Sequence, residues 1–249
     1  MIDMHSHIIP MVDDGSKNIS ITEEMFMNAK NAGFKSIFAT PHYIDTKSVK
    51  REDMVVHFNN LKKKAESYGI ELLLGNEVFI SPDLPEQVKN GVVSCLNNSK
   101  YLLMELPRNN EINYLDDVVF ELGTLGIVPI IAHPERYRIV HEDMDVLFDL
   151  ADKGVLFQLN SGSLIGDYGE TVKKTAKKLL QNNVYQFMGS DAHSYDRYKV
   201  FDEAKQIVCK VAGEDVLKLI TDTNPTKVKT NEDVFPDLRK IKKNFLFWR

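Results

Sequence analysis

The chain alternates short apolar runs with helical stretches about seven times, and no other feature of the sequence narrows its fold as far. The first run starts at Met1, and the others cover residues 36–40, 70–74, 101–106, 127–132, 155–160 and 184–188. Between them, apolar residues recur at helical spacing, as in Met25, Phe26 and Ala29 or in Val55, Phe58, Leu61 and Ala65. Ser20-Ile21-Thr22-Glu23 reads as a capping box opening the first helix, and Gly33 as its C-terminal stop. Further helices are predicted over 52–68, 114–125, 142–153, 170–181, 200–211 and 215–221, with a broken segment at 81–99. Such alternation predicts an α/β protein whose parallel strands are joined by helical crossovers. A doubly wound open sheet and a single barrel both satisfy it.

The polar residues decide between the two. His5 and His7 come with the first strand, His42 with the second, Glu77 with the third and Glu105 with the fourth. His133 follows the fifth, and Asp191 and His193 follow the seventh. In a barrel of parallel strands, the C-terminal ends converge on one face, where barrel active sites form. In an open sheet the first and last strands could lie far apart. The barrel is therefore the expectation.

In the His5-Ser6-His7 segment, strand alternation points both imidazoles the same way, which makes half a shell for a divalent metal. Asp13-Asp14-Gly15 then turns the chain and brings carboxylates to the same strand end. With Asp14 there are nine candidate ligands: His5, His7, Asp14, His42, Glu77, Glu105, His133, Asp191 and His193. Each alone also suits a blander role, a helix cap for Glu77 or Glu105 and a core position for His133. Those roles do not explain why all fall at strand ends. His57 and His141 lie on or beside helices and are assigned no such part. One tetrahedral site takes about four ligands, so nine imply two or three ions with bridging carboxylates. Nitrogen and oxygen donors without thiolate suit manganese, iron or zinc. Such ions bring the pKa of a bound water toward neutrality, supplying a hydroxide nucleophile, and hold the oxygens of a phosphoryl group.

Composition excludes several classes. The 249 residues are 43% hydrophobic, enough for one large core spanning 1–249. A net charge of -5 argues against a nucleic-acid partner, because phosphate-backbone affinity needs excess Lys and Arg. The two cysteines form no disulfide framework and fit a reducing compartment. No signal peptide is expected ahead of the first strand, and no apolar run approaches the roughly 18 residues of a membrane span. A cytoplasmic location is the expectation. Residues 239–249 form a basic, aromatic tail, with Arg239, Lys240, Lys242, Lys243 and Arg249 around Phe245, Phe247 and Trp248. It suggests weak attraction to an anionic surface, such as the inner membrane face, or docking of its aromatics on the barrel.

The order and identity of these residues resemble the four motifs of the PHP (polymerase and histidinol phosphatase) superfamily, over essentially the whole chain. The resemblance implies a distorted (β/α)7 TIM-like barrel and metal-dependent phosphoester hydrolysis. Met1-Ile2-Asp3, His5 to Ile8, the Asp-Asp-Gly turn, Ala39-Thr40-Pro41-His42, Ala132-His133-Pro134-Glu135-Arg136 and Ser190-Asp191-Ala192-His193 look most like one group within it. That group is the bacterial tyrosine-protein phosphatases of capsule and exopolysaccharide synthesis (CpsB/CapC type). The similarity implies three metal sites: His5, His7, Glu77 and Asp191; Glu77, Glu105 and His133; Asp14, His42 and His193. It also implies Arg136 and Arg197 as phosphate binders, two or three divalent ions with manganese first among them, and a partner tyrosine kinase as substrate. A small-molecule phosphatase, such as one for histidinol phosphate, and a non-catalytic metal-binding module are the alternatives; a nuclease is disfavoured by charge. Thiolate chemistry is excluded separately. A thiolate phosphatase needs an arginine six residues after its cysteine, where Cys95 has Tyr101 and Cys209 has Asp215.

Overall fold

The computed structural model of the protein describes residues 1–44, 48–109 and 112–239. Its strands are β1 (Ile2–Ser6), β2 (Ser36–Ala39), β3 (His42–Tyr43), β4 (Glu71–Leu74), β5 (Glu77–Phe79), β6 (Tyr101–Glu105), β7 (Val128–Ala132), β8 (Leu156–Asn160) and β9 (Phe187–Gly189). All pairings are parallel, in the orders β1-β2-β4 and β3-β5-β6-β7-β8-β9. β2 and β3 are one run interrupted at Thr40-Pro41, and β4 and β5 are one run interrupted at Gly75-Asn76. Hydrogen bonds carry the pairing across both interruptions, from Gly75 N–H to Ala39 O (2.9 Å) and from Glu77 N–H to Pro41 O (3.2 Å). Among the described residues seven strand runs result, as the sequence predicts.

The curled sheet closes where its last run meets its first. Asp191 N–H donates to His5 O at 2.8 Å, and His7 N–H donates to Ala192 O at 2.9 Å. Below this seam the buried Asp3 carboxylate accepts from Ser190 N–H (2.8 Å), Ser190 Oγ (2.6 Å) and Tyr198 Oη (2.9 Å). An ionisable group buried to this degree is tolerated because its lone pairs are occupied.

Strand alternation sorts the side chains into two layers. Ile2, Met4, Phe38, Leu73, Tyr101, Leu103, Ile130, Leu156 and Phe187 fill the barrel interior. Their neighbours Ile37, Leu72, Leu102, Met104, Ile131, Phe157 and Met188 face outward under the helices. Before β9 the helices are α1 (Ile19–Asn31), α2 (Arg51–Ser67), α3 (Leu84–Lys89), α4 (Leu115–Thr124), α5 (Arg138–Glu142), α6 (Val146–Asp152), α7 (Ser161–Ile165) and α8 (Glu170–Gln181). After β9 come α9 (Asp196–Lys199), α10 (Phe201–Ala212), α11 (Glu214–Lys218) and α12 (Asn224–Thr230). α8 shows why such segments are helical: Val172, Thr175, Ala176, Leu179 and Leu180 are its buried residues, one stripe at three- and four-residue spacing.

Some local expectations are corrected. The N-cap of α1 is Asn18, whose side chain accepts from Ile21 N–H at 3.0 Å, so the helix begins before the Ser20 capping box. Met54 rather than Val55 enters the core from α2. The helix expected at 142–153 is α6, which begins four residues later at Val146; α5 ahead of it and α12 after the last predicted helix were not predicted. Among the described residues no helix is long and apolar enough to cross a membrane. Of the basic tail, residues 240–249 lie outside the described residues.

Candidate active site

The site is the polar continuation of the barrel interior. Inward positions run Phe38, Thr40, His42 along β2 and β3; Leu73, Gly75, Glu77 along β4 and β5; and Leu103, Glu105 along β6. β8 carries the same progression from Leu156 through Gln158 to Asn160. Apolar residues fill the lower barrel, and ionisable or amide side chains take over toward its C-terminal mouth.

Four ligand candidates stand outside this alternation, and the backbone is irregular at each. Ile2 and Met4 point inside, so His5 would point outside in a regular strand. The β1–β2 register slips between Asp3 and Ser6, a bulge that brings His5 and His7 to the inner face. His133 follows the inward Ala132 and adopts left-handed angles (φ 36°, ψ 54°). Asp191, at φ 52°, is also left-handed. Such conformations in residues with a Cβ cost on the order of 1–3 kcal/mol each and cluster at functional sites.

All nine sequence-predicted ligands meet in one cup. The Nε2 atoms of His5 and His7 are 3.0 Å apart, and Glu77 Oε2 lies 3.1 Å from the first and 3.4 Å from the second. Asp191 Oδ1 lies 3.6 Å from His5 Nε2 and 3.4 Å from His7 Nε2. Glu77 also reaches His42 Nδ1 (3.0 Å) through Oε2 and His133 Nε2 (3.0 Å) through Oε1. Glu105 Oε1 is 3.9 Å from His133 Nε2, and Asp14 Oδ1 is 3.3 Å from His193 Nε2 and 3.6 Å from His42 Nε2. Among the described residues, three groups have ligand atoms within 4.8 Å of one another: His5, His7 and Glu77; His42, Glu77 and Glu105; and His7, Asp14, His42 and His193. The third expected set thus gains His7. The second holds His42 where His133 was expected, although His133 Nε2 also lies 3.0 Å from Glu77 and 3.9 Å from Glu105.

The donor set fits divalent ions. His5 Nδ1–H donates to Gln158 Oε1 (3.0 Å), His7 Nδ1–H to Asp13 Oδ2 (2.7 Å) and His193 Nδ1–H to the Asp191 carbonyl (3.0 Å). Each bond fixes a tautomer and leaves Nε2 facing the cup, the usual way a protein orients metal-ligating imidazoles. Two Nε2 atoms and a carboxylate oxygen this close need a proton or a cation between them. With protons alone, burial pushes His5 down but the Glu77 and Asp191 carboxylates outweigh it and hold it up at about 9. Burial likewise pushes His7 down, but contact with Asp13, Asp191 and Glu77 outweighs it and holds His7 well above its ordinary value. Burial would raise Asp13, yet His7 pulls it down to about 2. His133 Nδ1 is buried without a hydrogen-bond partner, a further donor atom awaiting one.

The cup opens into a cleft of about 940 Å³. Arg136 and Arg197 both line it, together with Val12, Ile44, Tyr168 and Val200. Arg136 Nη1 pairs with Asp191 Oδ2 at 3.0 Å, and Arg197 Nη1 pairs with Asp167. Sequence reasoning missed several contributors. Asp13, not only Asp14, is used from the acidic turn, and it also accepts from His42 N–H at 3.0 Å. Gly15 is required there, since a Cβ would stand 2.4 Å from His7 Cβ. Gln158 and Asn160 come from the one strand given no role, although amides two apart in an apolar run are a signal of inward polarity. Arg108 lines the cleft as well.

Fold and site define a class: parallel α/β barrels carrying a histidine–carboxylate cup, fit for divalent ions, at the C-terminal ends of the strands. Within it, the chain belongs to the CpsB/CapC family of capsular polysaccharide synthesis, which matches residues 1–230. The tyrosine-protein phosphatase YwqE of Bacillus subtilis is 31% identical over 256 residues, covering 100% of both chains. CapC of Staphylococcus aureus is 38% identical over 197 residues, 78% of this chain and 77% of CapC. Among solved structures, one from the study of YwqE of Bacillus subtilis and CpsB of Streptococcus pneumoniae, metal-dependent tyrosine phosphatases, superposes with a TM-score of 0.91. It is 29% identical and covers 98% of this chain and 100% of that one. The histidinol phosphate phosphatase of Lactococcus lactis shares the fold, with a TM-score of 0.57 at 15% identity over 85% of this chain and 95% of its own.

Proposed function

We propose that the chain is a metal-dependent tyrosine-protein phosphatase of capsule or exopolysaccharide synthesis, with His5, His7, Asp14, His42, Glu77, Glu105, His133, Asp191 and His193 as metal ligands. The observation that carries this reading is Asp191, which sets one oxygen among the imidazoles and the other against Arg136. A phosphoryl group placed over the cup would be within reach of the arginines.

Bound divalent ions would activate water and neutralise phosphoryl oxygens. The chain's own residues do the rest. Gln158, Asp13 and the Asp191 carbonyl hold three imidazoles in the ligating tautomer. Arg136 and Arg197 offer guanidinium forks that match phosphate geometry bidentately. Val12, Ile44 and Val200 give the cleft an apolar wall for an aromatic ring. Tyrosine leaves as a phenolate with a parent pKa of about 10, so the demand on a proton donor is modest.

Manganese is the ion of choice in this reading, because oxygen and nitrogen donors without thiolate suit it. The substrate is a tyrosine kinase partner. The basic tail at 239–249 adds weak attraction to the inner membrane face; its support is the run of Lys and Arg in the sequence. The test is a panel of phosphotyrosine peptides, phosphoserine peptides and small phosphate esters, assayed with manganese. Preference for phosphotyrosine is expected. Preference for histidinol phosphate transfers the assignment to a small-molecule phosphatase, and no turnover by metal-loaded protein leaves a binding module. Vesicle co-sedimentation that is unchanged on deleting 239–249 removes the membrane part.

A further inference from the structure

Arg136 and Arg197 reach the cleft from distant parts of the chain, one following β7 and the other on α9, and one side chain lies against both. Arg136 Cζ stands 4.2 Å from the centroid of the Tyr168 ring, and Arg197 Cζ stands 5.5 Å from it. Cations within about 6 Å of a ring centroid are attracted by its negative face. Each guanidinium already pairs with a carboxylate, Arg136 with Asp191 and Arg197 with Asp167, and the shared ring holds the two cations side by side. The Tyr168 hydroxyl accepts from Arg197 Nη2 (3.1 Å) and Asn160 Nδ2 (3.3 Å) and donates toward Asp191 Oδ2 (3.5 Å). One proton and two lone pairs are thereby all used.

The loop that carries Tyr168 is tightly fixed. α7 ends at Gly166, whose φ of 105° suits glycine. The N–H groups of Gly166 and Asp167 both donate to Gly162 O at 3.1 Å, and Gly169 N–H donates to Gly166 O at 3.0 Å. The Arg197 guanidinium rests directly on this loop's base: a Cβ at Gly162 would stand 2.8 Å from Arg197 Cζ.

We propose that Tyr168 is a positioning residue that joins Arg136 and Arg197 into one two-armed clamp for the substrate phosphoryl group. The proposal rests on the phosphatase reading of the same cleft. It is tested with full-length, manganese-loaded Tyr168→Ala and Tyr168→Phe, assayed with a phosphotyrosine peptide and with inorganic phosphate as competitive inhibitor. Tyr168→Ala should lower kcat/KM about tenfold or more and raise the phosphate inhibition constant by a similar factor, with metal content unchanged. Tyr168→Phe keeps the ring and should recover part of both. In an Arg136→Ala/Arg197→Ala background, Tyr168→Ala should cost less than about twofold further, because residues acting through one another are not additive. An equal loss in both backgrounds would mean that Tyr168 touches substrate itself and would overturn the positioning role. Wild-type kinetics in Tyr168→Ala, with the arginine variants impaired, would overturn this proposal alone. Wild-type kinetics in the arginine variants would overturn the phosphatase clamp and the proposal together.

Discussion

Asp191 divides its carboxylate between two neighbourhoods: Oδ1 lies 3.4 Å from His7 Nε2, while Oδ2 accepts from Arg136 Nη1 at 3.0 Å. Arg136 therefore acts on the cup as well as on the cleft. Arg197 pairs with Asp167, which is no ligand candidate, and reaches Asp191 only through Tyr168. The two arginines should separate on mutation. Arg197→Ala should cut kcat/KM on the order of 10²-fold, about 2.7 kcal/mol, with metal content unchanged. Arg136→Ala should lose as much and also bind metal more weakly, because it leaves an Asp191 oxygen short of its charged partner. Arg→Lys should restore only part of either loss, since lysine lacks the fork. Steady-state kinetics beside elemental analysis of both variants is the check, and identical metal retention in the two would refute the distinction.

Asp13 orients His7 through the 2.7 Å bond to Nδ1 and steadies His42 through its backbone N–H, yet it points no oxygen at the cup. Partners of this kind typically contribute 10- to 100-fold in metal affinity, about the range expected for Asp13→Asn. Asp14→Asn should act differently. Asp14 is mostly exposed and belongs to one ligand group, with His7, His42 and His193, so its loss should empty one position and spare the rest. Metal titration of the two variants distinguishes a general weakening from loss of a single ion.

What the sequence made legible was whatever follows a period. Seven strand runs, the ligands at their ends and the converging face all come from counting apolar residues and noting what ends each run. His42, Glu77 and Glu105 even share inward parity with Phe38, Leu73 and Leu103 below them. Breaks in the period were not legible. The bulge in β1 depends on closure against the segment after β9, a contact nearly the whole chain length away. The left-handed turn at His133 has no local signal, because nothing in Ala132-His133-Pro134 demands a positive φ. Gln158 and Asn160 were overlooked for another reason. Amides are weaker ligands than imidazole or carboxylate, and the value of these two lies in the imidazole of His5 and the carboxylate of Asp191 that they hold.

Glu77 stands near four imidazoles, those of His5, His7, His42 and His133, whereas Glu105 approaches His133 at 3.9 Å from the rim. Burial would raise the Glu77 carboxyl, but these imidazoles hold it well below the usual range. As the carboxylate common to two of the ligand groups, it should dominate metal retention. Exhaustive chelation of the wild type should abolish phosphatase activity, and manganese should restore it. Glu77→Gln should then hold fewer ions than Glu105→Gln after dialysis, with a kcat loss of at least about 10²-fold. Full activity in chelated, metal-free protein would overturn the metal assignment as a whole.

The cysteines give the last test, because a phosphatase acting on phosphotyrosine without metals would need one of them. Cys95 lies just before the 3₁₀ turn Leu96–Asn98, away from the cleft-lining residues, and burial pushes its thiol up to about 11. A thiol with that pKa is protonated below it, so at pH 8 only about one molecule in a thousand carries the reactive thiolate. Cys209 sits on α10, also outside the cleft lining. The Cys95→Ser/Cys209→Ser double variant should therefore keep kcat within about twofold of wild type, and thiol alkylation at neutral pH should leave turnover intact. Alkylation of Cys95 should instead accelerate steadily as pH rises toward 11, without a plateau near neutrality. A folded double variant that has lost turnover would demand a thiolate mechanism, and no arginine stands six residues beyond either cysteine to support one.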